Sequence, residues 1–296
     1  MSGKEFFVNR YEKLGWKYVD VAPMQAIRIN IINTDETNVV KRLESLGIEL
    51  EKIPFLTHGY WVSKTKFSAG ATTEYLLGYY SFQEAAAQIP VTLFTELKGK
   101  TVLDACAAPG GKTVQLANLM QNTGTIIALD FEKKRLTALA NHLERCSVRN
   151  TIVYHLDARK ASQLKTKFDC ILLDAPCSGN FAADKGWFKR RTIEDVDRNA
   201  KLQREILAET TKVLKDDGEI VYSTCSLEPE ENELNINWAI KELNLKVEKI
   251  NCYGERAKTN IFGKQLDNSI ADCRRIWPRK TTQGFFVCKL KRANAL

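Results

Sequence analysis

From residue 98 onwards, apolar segments alternate with amphipathic ones, and this alternation constrains the fold more than any other feature of the sequence. The apolar segments predict strands, and they are GKTVLDACA, GTIIALD, TIVYHLD, FDCILLD, GEIVYSTC and GFFVCKL. The longer segments between them predict helices, because their apolar residues recur every three or four positions. Alternating strands and helices form a parallel sheet that is covered on both faces. We therefore predict an α/β domain over residues 89–296.

Three of the helical segments carry further signals. In FEKKRLTALANHLERC, the apolar residues at helical spacing are Phe131, Leu136, Leu139, Leu143 and Cys146. A long helix is predicted between Thr192 and Gly218, because Thr192 and Asp195 form a capping-box pattern and a glycine commonly follows a helix end. A third helix, through EENELNINWAIKEL, would have Pro229 in its first turn.

Residues 1–88 differ in texture, with short mixed elements and equal numbers of basic and acidic residues. Helices are predicted at GKEFFVNRYEKLG and ETNVVKRLESLG, and strands at Ala26–Ile32 and Tyr60–Ser63. The predicted apolar faces are Phe7, Tyr11 and Leu14 in the first helix, and Val40, Leu43 and Leu46 in the second. This pattern predicts a small α+β domain over residues 1–88, ahead of the larger domain.

The formal charge of the 296-residue chain is +8, and the whole basic excess lies in residues 89–296. Residues 251–296 alone carry ten Lys or Arg against three Asp or Glu. A localised basic excess favours an anionic partner such as nucleic acid. No segment reaches the roughly 18 apolar residues of a membrane span, and the start lacks the apolar core of a secretory signal. We expect a cytoplasmic monomer without membrane contact.

Eight cysteines occur, and in a cytosolic chain of this length we expect them to be reduced. Because no C-x-x-C pair occurs and the three histidines form no cluster, we expect no metal site. Cys106, Cys177 and Cys225 each follow a predicted strand and should reach the same sheet edge. Packing is the usual role of a single cysteine. Cys177 lies in the turn DAPCSG and Cys225 in the turn STCSLEPEENE, and Asp174 is expected beside both. Either cysteine could therefore also act as a nucleophile.

Carboxylates lie at or near the ends of four predicted strands, and they are Asp104, Asp130, Asp157 and Asp174. Each could be a helix N-cap, but four around the glycine-rich turn AAPGGKT indicate a nucleoside site. The tail of this turn also resembles the phosphate-binding loop of nucleoside triphosphatases, although Cys106 replaces the first glycine of that loop. A nucleoside without pyrophosphate fits S-adenosylmethionine. Arg135 either covers its adenosine or belongs to a solvated helix face.

The segments DACAAPGGKT, LDFEKKRL, DAPCSG and STCSLEPEENE resemble the RNA cytosine-5 methyltransferases of the Sun/Fmu (NOL/NOP/SUN) family. PMQAIRIN, GYYSFQEAAAQIP and PRKTTQGFFVCKL are similar to further motifs of that family, so the resemblance runs from about residue 20 to 290. It implies a Rossmann-like S-adenosylmethionine-dependent methyltransferase domain, preceded by a small α+β (RRM-like) domain. The implied substrate is RNA, with tRNA favoured for so compact a chain and ribosomal RNA as the alternative.

The resemblance also implies roles for individual residues. Cys225 would add to carbon 6 of cytosine, and Cys177 would assist removal of the proton at carbon 5 and release. Asp174 would contact ring nitrogen 3 and the methyl donor. The implied cofactor-binding residues are Cys106, Ala107, Ala108, Pro109, Gly110, Gly111, Lys112, Asp130, Arg135, Asp157 and Asp174.

The segment DKGWFKRR follows Cys177 and mixes basic with aromatic residues, which are Lys185, Trp187, Phe188, Lys189, Arg190 and Arg191. Basic side chains suit phosphates and aromatic rings suit unstacked bases, so this segment is a candidate RNA contact. A solvated loop with one buried aromatic residue explains the same pattern equally well.

Overall fold

The computed structural model describes residues 2–32 and 34–293. The α-helices are α1 (Lys4–Lys13), α2 (Glu36–Ser45), α3 (Thr73–Leu76), α4 (Gly111–Met120), α5 (Lys133–Arg145), α6 (Trp187–Arg190), α7 (Ile193–Lys212) and α8 (Glu233–Glu242). The strands are β1 (Ala26–Ile29), β2 (Glu49–Lys52), β3 (Gly59–Lys64), β4 (Tyr80–Phe82), β5 (Thr101–Asp104), β6 (Thr125–Asp130), β7 (Thr151–His155), β8 (Phe168–Asp174), β9 (Leu214–Thr224), β10 (Leu245–Glu248), β11 (Glu255–Arg256), β12 (Asn260–Ile261), β13 (Lys264–Gln265), β14 (Arg274–Ile276) and β15 (Phe285–Arg292). Short 3-10 helices lie at Ala69–Ala71, Ala86–Gln88, Pro90–Leu93, Ala158–Leu164 and Asn268–Asp272.

A large sheet runs through the second part of the chain. Its strands lie in the order β7-β6-β5-β8-β9-β15-β14-β11, and β10 also pairs with β15. The strands from β7 to β9 in this order are parallel, whereas β15 is antiparallel to β9. The chain order reverses between β5 and β8, and open α/β sheets bind ligands at the carboxyl ends of strands beside such a reversal. The predicted Rossmann-like α/β fold is confirmed.

The central parallel strands β5, β6 and β8 are largely apolar, as is typical of strands in a sheet that helices cover on both faces. Successive side chains of a strand point to opposite faces, so neighbours in sequence enter different cores. Ile171 and Leu173 join the cluster that contains Leu207 of α7. Leu172 joins the cluster that contains Leu116 of α4. The continuous apolar run of β8 therefore holds the sheet between two helical layers.

Helix α7 begins where the sequence predicts and ends earlier than predicted. The capping box is present, since the Thr192 hydroxyl accepts the backbone N–H of Asp195 and the Asp195 carboxylate accepts that of Thr192. Gly218 does not follow the helix end but lies inside β9. Leu214 already pairs with Phe168 of β8. Because of this pairing, the charged segment KDDG is the start of β9 and not the end of α7.

Two other predicted helix boundaries are wrong. Helix α5 begins at Lys133, so Phe131 lies outside it and is 57% exposed instead of belonging to its apolar face. Helix α8 begins at Glu233, after an N-cap residue, Asn232, with backbone angles outside the helical region. Pro229 therefore lies in a turn before α8, and Cys225 is further from the helix start than the sequence suggested.

The N-terminal region contains a four-stranded antiparallel sheet in the order β2-β3-β1-β4. Helix α2 covers it with Val39 and Leu43, both fully buried. The predicted face with Val40 and Leu46 is wrong, because Leu46 is the C-cap residue and is 44% exposed. Only Leu43 of the predicted face lies in the core.

Helix α1 packs against the large sheet's layers and not against the small sheet. Phe7 and Tyr11 are fully buried, as predicted, within the core cluster that contains Leu173 of β8. The Phe7 ring meets the Trp187 ring edge-on, with centroids 4.6 Å apart. The start of the chain is thus built into the larger core, and the domain division between residues 88 and 89 stays a prediction.

Candidate active site

The turn between β5 and α4 approaches its neighbours closely. Gly110 has a φ of +102°, a left-handed conformation, and a Cβ atom there would lie 2.9 Å from Leu139. Asp104 ends β5, is buried, and accepts a hydrogen bond from Thr113 Oγ1 at 2.7 Å. Burial raises the pKa of Asp104 to about 7. Asp104 therefore anchors the first turn of α4.

Asp130 ends β6 and holds this turn against α5. Its Oδ2 accepts the backbone N–H of Ala108 at 3.3 Å and lies 3.2 Å from the Arg135 guanidinium. Its Oδ1 accepts the backbone N–H of Glu132 at 2.9 Å. Arg135 also donates to the Ala108 carbonyl. Arg135 is therefore held by the turn and by Asp130, while 43% of its side chain remains exposed, as the solvated-face alternative predicts.

A largely apolar pocket opens at the carboxyl ends of the central parallel strands. The predicted cofactor residues that line it are Cys106, Asp130, Arg135 and Asp157. Unpredicted residues in the lining are Phe131, Arg159, Pro176, Leu202 and Ile206. The predicted residues Ala107 to Lys112, together with Asp174, lie outside this lining and form the adjacent turn and ion pair. An exposed aromatic ring and two carboxylates around an apolar pocket suit a flat nitrogen heterocycle joined to a diol.

The helix-cap alternative holds for Asp157. Its side chain accepts the backbone N–H of Arg159 at 2.9 Å and so caps the 3-10 helix that follows. The Arg159 guanidinium also binds the carboxylate, with Nη2 to Oδ2 at 2.6 Å, and this lowers the pKa of Asp157. Asp157 thus has a structural role, while its position in the pocket lining keeps it available to a ligand.

Lys112 of α4 forms an ion pair with Asp174 at the end of β8. Lys112 Nζ lies 2.7 Å from Asp174 Oδ2, and Ser223 Oγ donates to Oδ1 at 2.7 Å. The ammonium also lies over the Phe285 ring, 5.3 Å from its centroid. In a nucleoside triphosphatase the lysine of this motif faces phosphates. Here a carboxylate engages it, which argues against the triphosphatase alternative.

Cys177 and Cys225 meet in the loops after β8 and β9. Their sulfur atoms lie 3.2 Å apart, and both residues are half-buried free thiols. The hydrogen bond to Cys225, together with burial, raises the pKa of Cys177 well above its ordinary value. Cys177 therefore keeps its proton and can donate it to the Cys225 sulfur. The predicted convergence of these two cysteines at one sheet edge is observed.

Cys106 does not join this pair. It lines the pocket, and burial together with the neighbouring Asp104 carboxylate raises the pKa of its thiol well above the ordinary value. A thiol held protonated in this way is a poor nucleophile. The structure therefore separates one pocket-lining cysteine from the pair of thiols.

Hydrogen bonds from buried groups fix the two thiol loops to each other. Asn180 Nδ2 donates to the Cys225 carbonyl at 2.7 Å. The backbone N–H of Ser178 donates to the Glu231 carboxylate at 3.0 Å, and Trp187 Nε1 donates to the Ser178 carbonyl at 2.7 Å. Burial raises the pKa of Glu231 to about 7. None of these supporting roles was predicted, since each depends on which loop residues meet across the sheet edge.

The glutamates that follow the second thiol are engaged elsewhere. Glu228 and Glu230 lie 3.1 and 2.7 Å from the Arg10 guanidinium of α1. Glu233 accepts a hydrogen bond from Arg275 Nε at 2.9 Å. The acid-rich opening of α8 is thus balanced by arginines.

The sequence profile of the 16S rRNA methyltransferase RsmB/F family matches residues 91–291, which is more than half of the chain. The chain belongs to this family. The finding confirms the family resemblance inferred from the strand-end motifs, since their segments lie within the matched range.

Several relatives of this RsmB/F-family chain match most of its length. A crystal structure of a methyltransferase homologue from Pyrococcus horikoshii is 36% identical, with a TM-score of 0.88 over 98% of this chain and 95% of that one. A 28S rRNA (cytosine-C(5))-methyltransferase of Mus musculus is 33% identical over 90% of this chain and 35% of its own length. Ribosomal RNA small subunit methyltransferase F of Aeromonas salmonicida is 32% identical over 92% of this chain and 58% of its own length. The chain therefore spans less than two thirds of these curated relatives.

A wide groove of the RsmB/F-family chain runs beside the Cys177 loop. Its lining includes Lys4, Tyr18, Phe181, Lys185, Phe188 and Lys189. The Phe181 and Phe188 rings stack with centroids 5.2 Å apart. Trp187, in contrast, is 1% exposed and belongs to the core. The segment DKGWFKRR thus contains one buried aromatic residue, as the loop alternative predicts, and two lysines that line the groove.

Charged groups of this segment differ in their partners. Arg190 pairs with Asp184, whereas Lys185, Lys189 and Arg191 have no ion-pair partner among residues 2–32 and 34–293.

Within the same described ranges, no cluster of three His, Cys, Asp or Glu residues is placed to hold a metal ion. No helix in this part of the chain is both long and apolar enough to cross a membrane.

Proposed function

We propose that this RsmB/F-family chain transfers a methyl group from S-adenosylmethionine to carbon 5 of cytosine in RNA. The observation that carries the proposal is the pair of thiols, Cys177 and Cys225, 3.2 Å apart beside a largely apolar pocket whose lining includes Asp130 and Asp157. Carbon 5 of cytosine is a weak nucleophile, so a thiolate first adds to carbon 6 and activates it. Two thiols allow one sulfur to form this bond while the other moves a proton.

The pocket residues fit the methyl donor. Asp130 and Asp157 offer carboxylates to the hydroxyl groups of a ribose, and Phe131 offers a ring face to the adenine. Arg135 stays fixed to Asp130 and closes one side of the pocket. The glycine turn lets the backbone approach the donor closely. When bound there, S-adenosylmethionine supplies an electrophilic methyl group.

The two cysteines take different parts in the proposed reaction. The Cys225 sulfur bonds to carbon 6, and this makes carbon 5 the nucleophile that accepts the methyl group. Cys177 releases its own proton to solvent and, as the thiolate, takes the proton from carbon 5, and the bond between Cys225 and carbon 6 breaks as the 5,6 double bond returns. The raised pKa of Cys177 means that its thiolate is a strong base, which suits this proton transfer.

Asp174 is proposed to orient the base. Lys112 and Ser223 hold its two oxygens in place, each with a contact of 2.7 Å. A carboxylate fixed in this way presents a defined acceptor to the ring nitrogen 3 edge of cytosine. Its contact with Lys112 of α4 and its position at the end of β8, three residues before Cys177, support this role.

The RNA class belongs to the proposal as well. The names of the curated relatives support ribosomal RNA, which is the alternative substrate that the family resemblance implies. The preference for tRNA rested on the compactness of the chain and stays a prediction, as do the cytoplasmic location and the monomeric state. Lys185 and Lys189 in the groove beside the Cys177 loop are proposed to contact phosphates.

Ligand-induced thermal stabilisation tests the cofactor class. S-adenosylhomocysteine should raise the unfolding temperature of the protein, because a ligand that binds only the folded state stabilises it. ATP with magnesium should leave the unfolding temperature unchanged. Stabilisation by ATP alone would instead support the triphosphatase alternative.

A further inference from the structure

Arg28 is a buried cation of the small sheet, and it contacts the glycine-rich turn between β5 and α4. It lies in β1, is 3% exposed, and donates from Nη1 to the Gly111 carbonyl at 2.9 Å. The same nitrogen contacts the Gln83 side-chain oxygen. Burial lowers the pKa of Arg28 to about 10, so the guanidinium remains charged at neutral pH. Through the Gly111 carbonyl, Arg28 therefore connects β1 to the first residue of α4.

The surroundings of Arg28 are unusual for a structural arginine. Its Nε and Nη2 atoms are buried and have no hydrogen-bond partner in the described part of the chain. Among residues 2–32 and 34–293, no carboxylate forms an ion pair with it. A buried cation without a carboxylate is costly to the folded state. The burial of the Arg28 guanidinium is therefore not explained by a gain in folding stability. The group that this guanidinium contacts, the Gly111 carbonyl, offers another reason for it.

A second side chain of the small sheet reaches the same turn through a histidine. Ser81 Oγ of β4 lies 2.8 Å from His142 Nε2, and His142 Nδ1 lies 3.1 Å from the Pro109 carbonyl. Burial lowers the pKa of His142 to about 4, so the imidazole is neutral at neutral pH. Because a carbonyl only accepts hydrogen bonds, Nδ1 carries the proton and Nε2 accepts from Ser81. The carbonyls on both sides of Gly110 are therefore held from the small sheet.

We propose that Arg28 and Ser81 are positioning residues for the methyl donor, and that the small sheet sets donor affinity by holding the turn at Gly110. The inference rests on the proposed function. The same turn carries Ala108, which binds both Asp130 and Arg135 in the pocket lining. Releasing the carbonyls beside Gly110 lets the turn relax and moves the groups that meet the donor.

Calorimetric titration with S-adenosylhomocysteine tests the proposal. Arg28→Met should raise its Kd about tenfold, since a hydrogen bond from a charged donor to a site-forming carbonyl is lost. Ser81→Ala should raise it about threefold. Arg28→Lys keeps one donor and should show a smaller rise than Arg28→Met. In methylation assays, KM for the donor should rise in each variant while kcat at saturating donor is retained.

Arg145→Met is the matched control. Arg145 of α5 also bridges to the small sheet, by donating to the Tyr80 carbonyl at 3.2 Å and lying over the Tyr75 ring, but it does not touch the turn. Its variant should lower the unfolding temperature and leave Kd unchanged.

Unchanged Kd in both Arg28→Met and Ser81→Ala, or an equal rise in Arg145→Met, would overturn the proposal. If Arg28→Met fails to fold, the Ser81→Ala result decides. Failure of the wild-type protein to bind S-adenosylhomocysteine would overturn the proposed function itself, and this inference with it.

Discussion

At the residue scale, the chemistry depends on the different environments of Cys177 and Cys225. Cys177 has a raised pKa, and its sulfur lies 3.2 Å from the sulfur of Cys225. Asn180 fixes the backbone of Cys225 through its carbonyl, at 2.7 Å. These contacts support the order of action implied by the family resemblance, with Cys225 as nucleophile and Cys177 as the second thiol.

Replacing Cys177 separates bond formation from release. The variant Cys177→Ala keeps the proposed nucleophile, so the bond to carbon 6 should still form. Without a group to take the proton from carbon 5, the bond should not break, and enzyme should accumulate on RNA. The measurement is a denaturing gel after incubation with RNA and S-adenosylmethionine. Cys252→Ala, a half-buried cysteine outside the pair, is the control, and wild-type turnover without an adduct in Cys177→Ala would contradict the role.

The sequence predicts the convergence of the candidate site residues better than it predicts the contacts that support them. Asp130, Asp174 and the two thiols follow strands, and the ends of parallel strands meet at one edge, so their convergence was predictable. Ser223 was not, because its contact with Asp174 depends on the register in which β8 and β9 pair. Register is a property of the folded sheet and cannot be predicted from the sequence of either strand alone.

At the scale of elements, the step from β5 to α4 links stability to pH. The Asp104 pKa is raised to about 7 by burial, while in the unfolded chain it lies near its ordinary value of 3.8. Between these values the folded state binds a proton that the unfolded state has released. The stability contributed by this group therefore falls as pH rises through that window.

Asp104→Asn removes this titration. The stability of the variant relative to wild type should rise between about pH 4 and pH 7 and stay constant outside this range. Urea unfolding at a series of pH values measures the difference, and other buried acids cancel because both proteins contain them. Glu12→Gln, which replaces an exposed acid of α1, serves as control. A difference that falls with pH, or does not change, would contradict the account.

Element types were predictable here, and boundaries much less so. The capping box located the start of α7 correctly, because a cap is a local interaction between Thr192 and Asp195. The end of α7 was misplaced, because pairing with β8 extends β9 back to Leu214. The apolar face of α2 also differs from the prediction, since Val39 is buried in place of Val40 and Leu46 is 44% exposed.

At the scale of the whole molecule, the two sheets are joined by buried polar contacts as well as apolar ones. Asn30 of the N-terminal region donates to the Cys146 carbonyl at 2.9 Å, next to α5. Glu84 accepts the backbone N–H of Gln283, just before β15, at 2.8 Å. The sequence predicted two units but could not predict these long-range contacts. These contacts tie the small sheet to the end of α5 and to the segment before β15.

The basic groove should determine how RNA binding responds to salt. The double variant Lys185→Ala, Lys189→Ala should weaken RNA binding and reduce the slope of log Kd against log salt by about 1.4, which is about 0.7 for each lost phosphate contact to a single strand. The double variant Lys212→Ala, Lys215→Ala is the matched control. Lys212 pairs with Glu209 near the end of α7, and Lys215 pairs with Asp169 near the start of β8, away from the carboxyl ends of the strands. Filter binding over a range of salt concentrations measures both. Equal slopes for wild type and the groove variant would remove these lysines from the RNA interface.

The central claim is that Cys225 forms a covalent bond to cytosine, and RNA containing 5-fluorocytosine tests it most directly. Fluorine at carbon 5 cannot leave as a proton does, so the bond between Cys225 and carbon 6 should persist after methyl transfer. Ribosomal RNA and tRNA transcripts made with this base are incubated with enzyme and S-adenosylmethionine, and the adduct is digested and located by mass spectrometry. The account predicts an adduct on Cys225 that is lost in Cys225→Ala. An adduct on Cys177, or one that persists in Cys225→Ala, would contradict it.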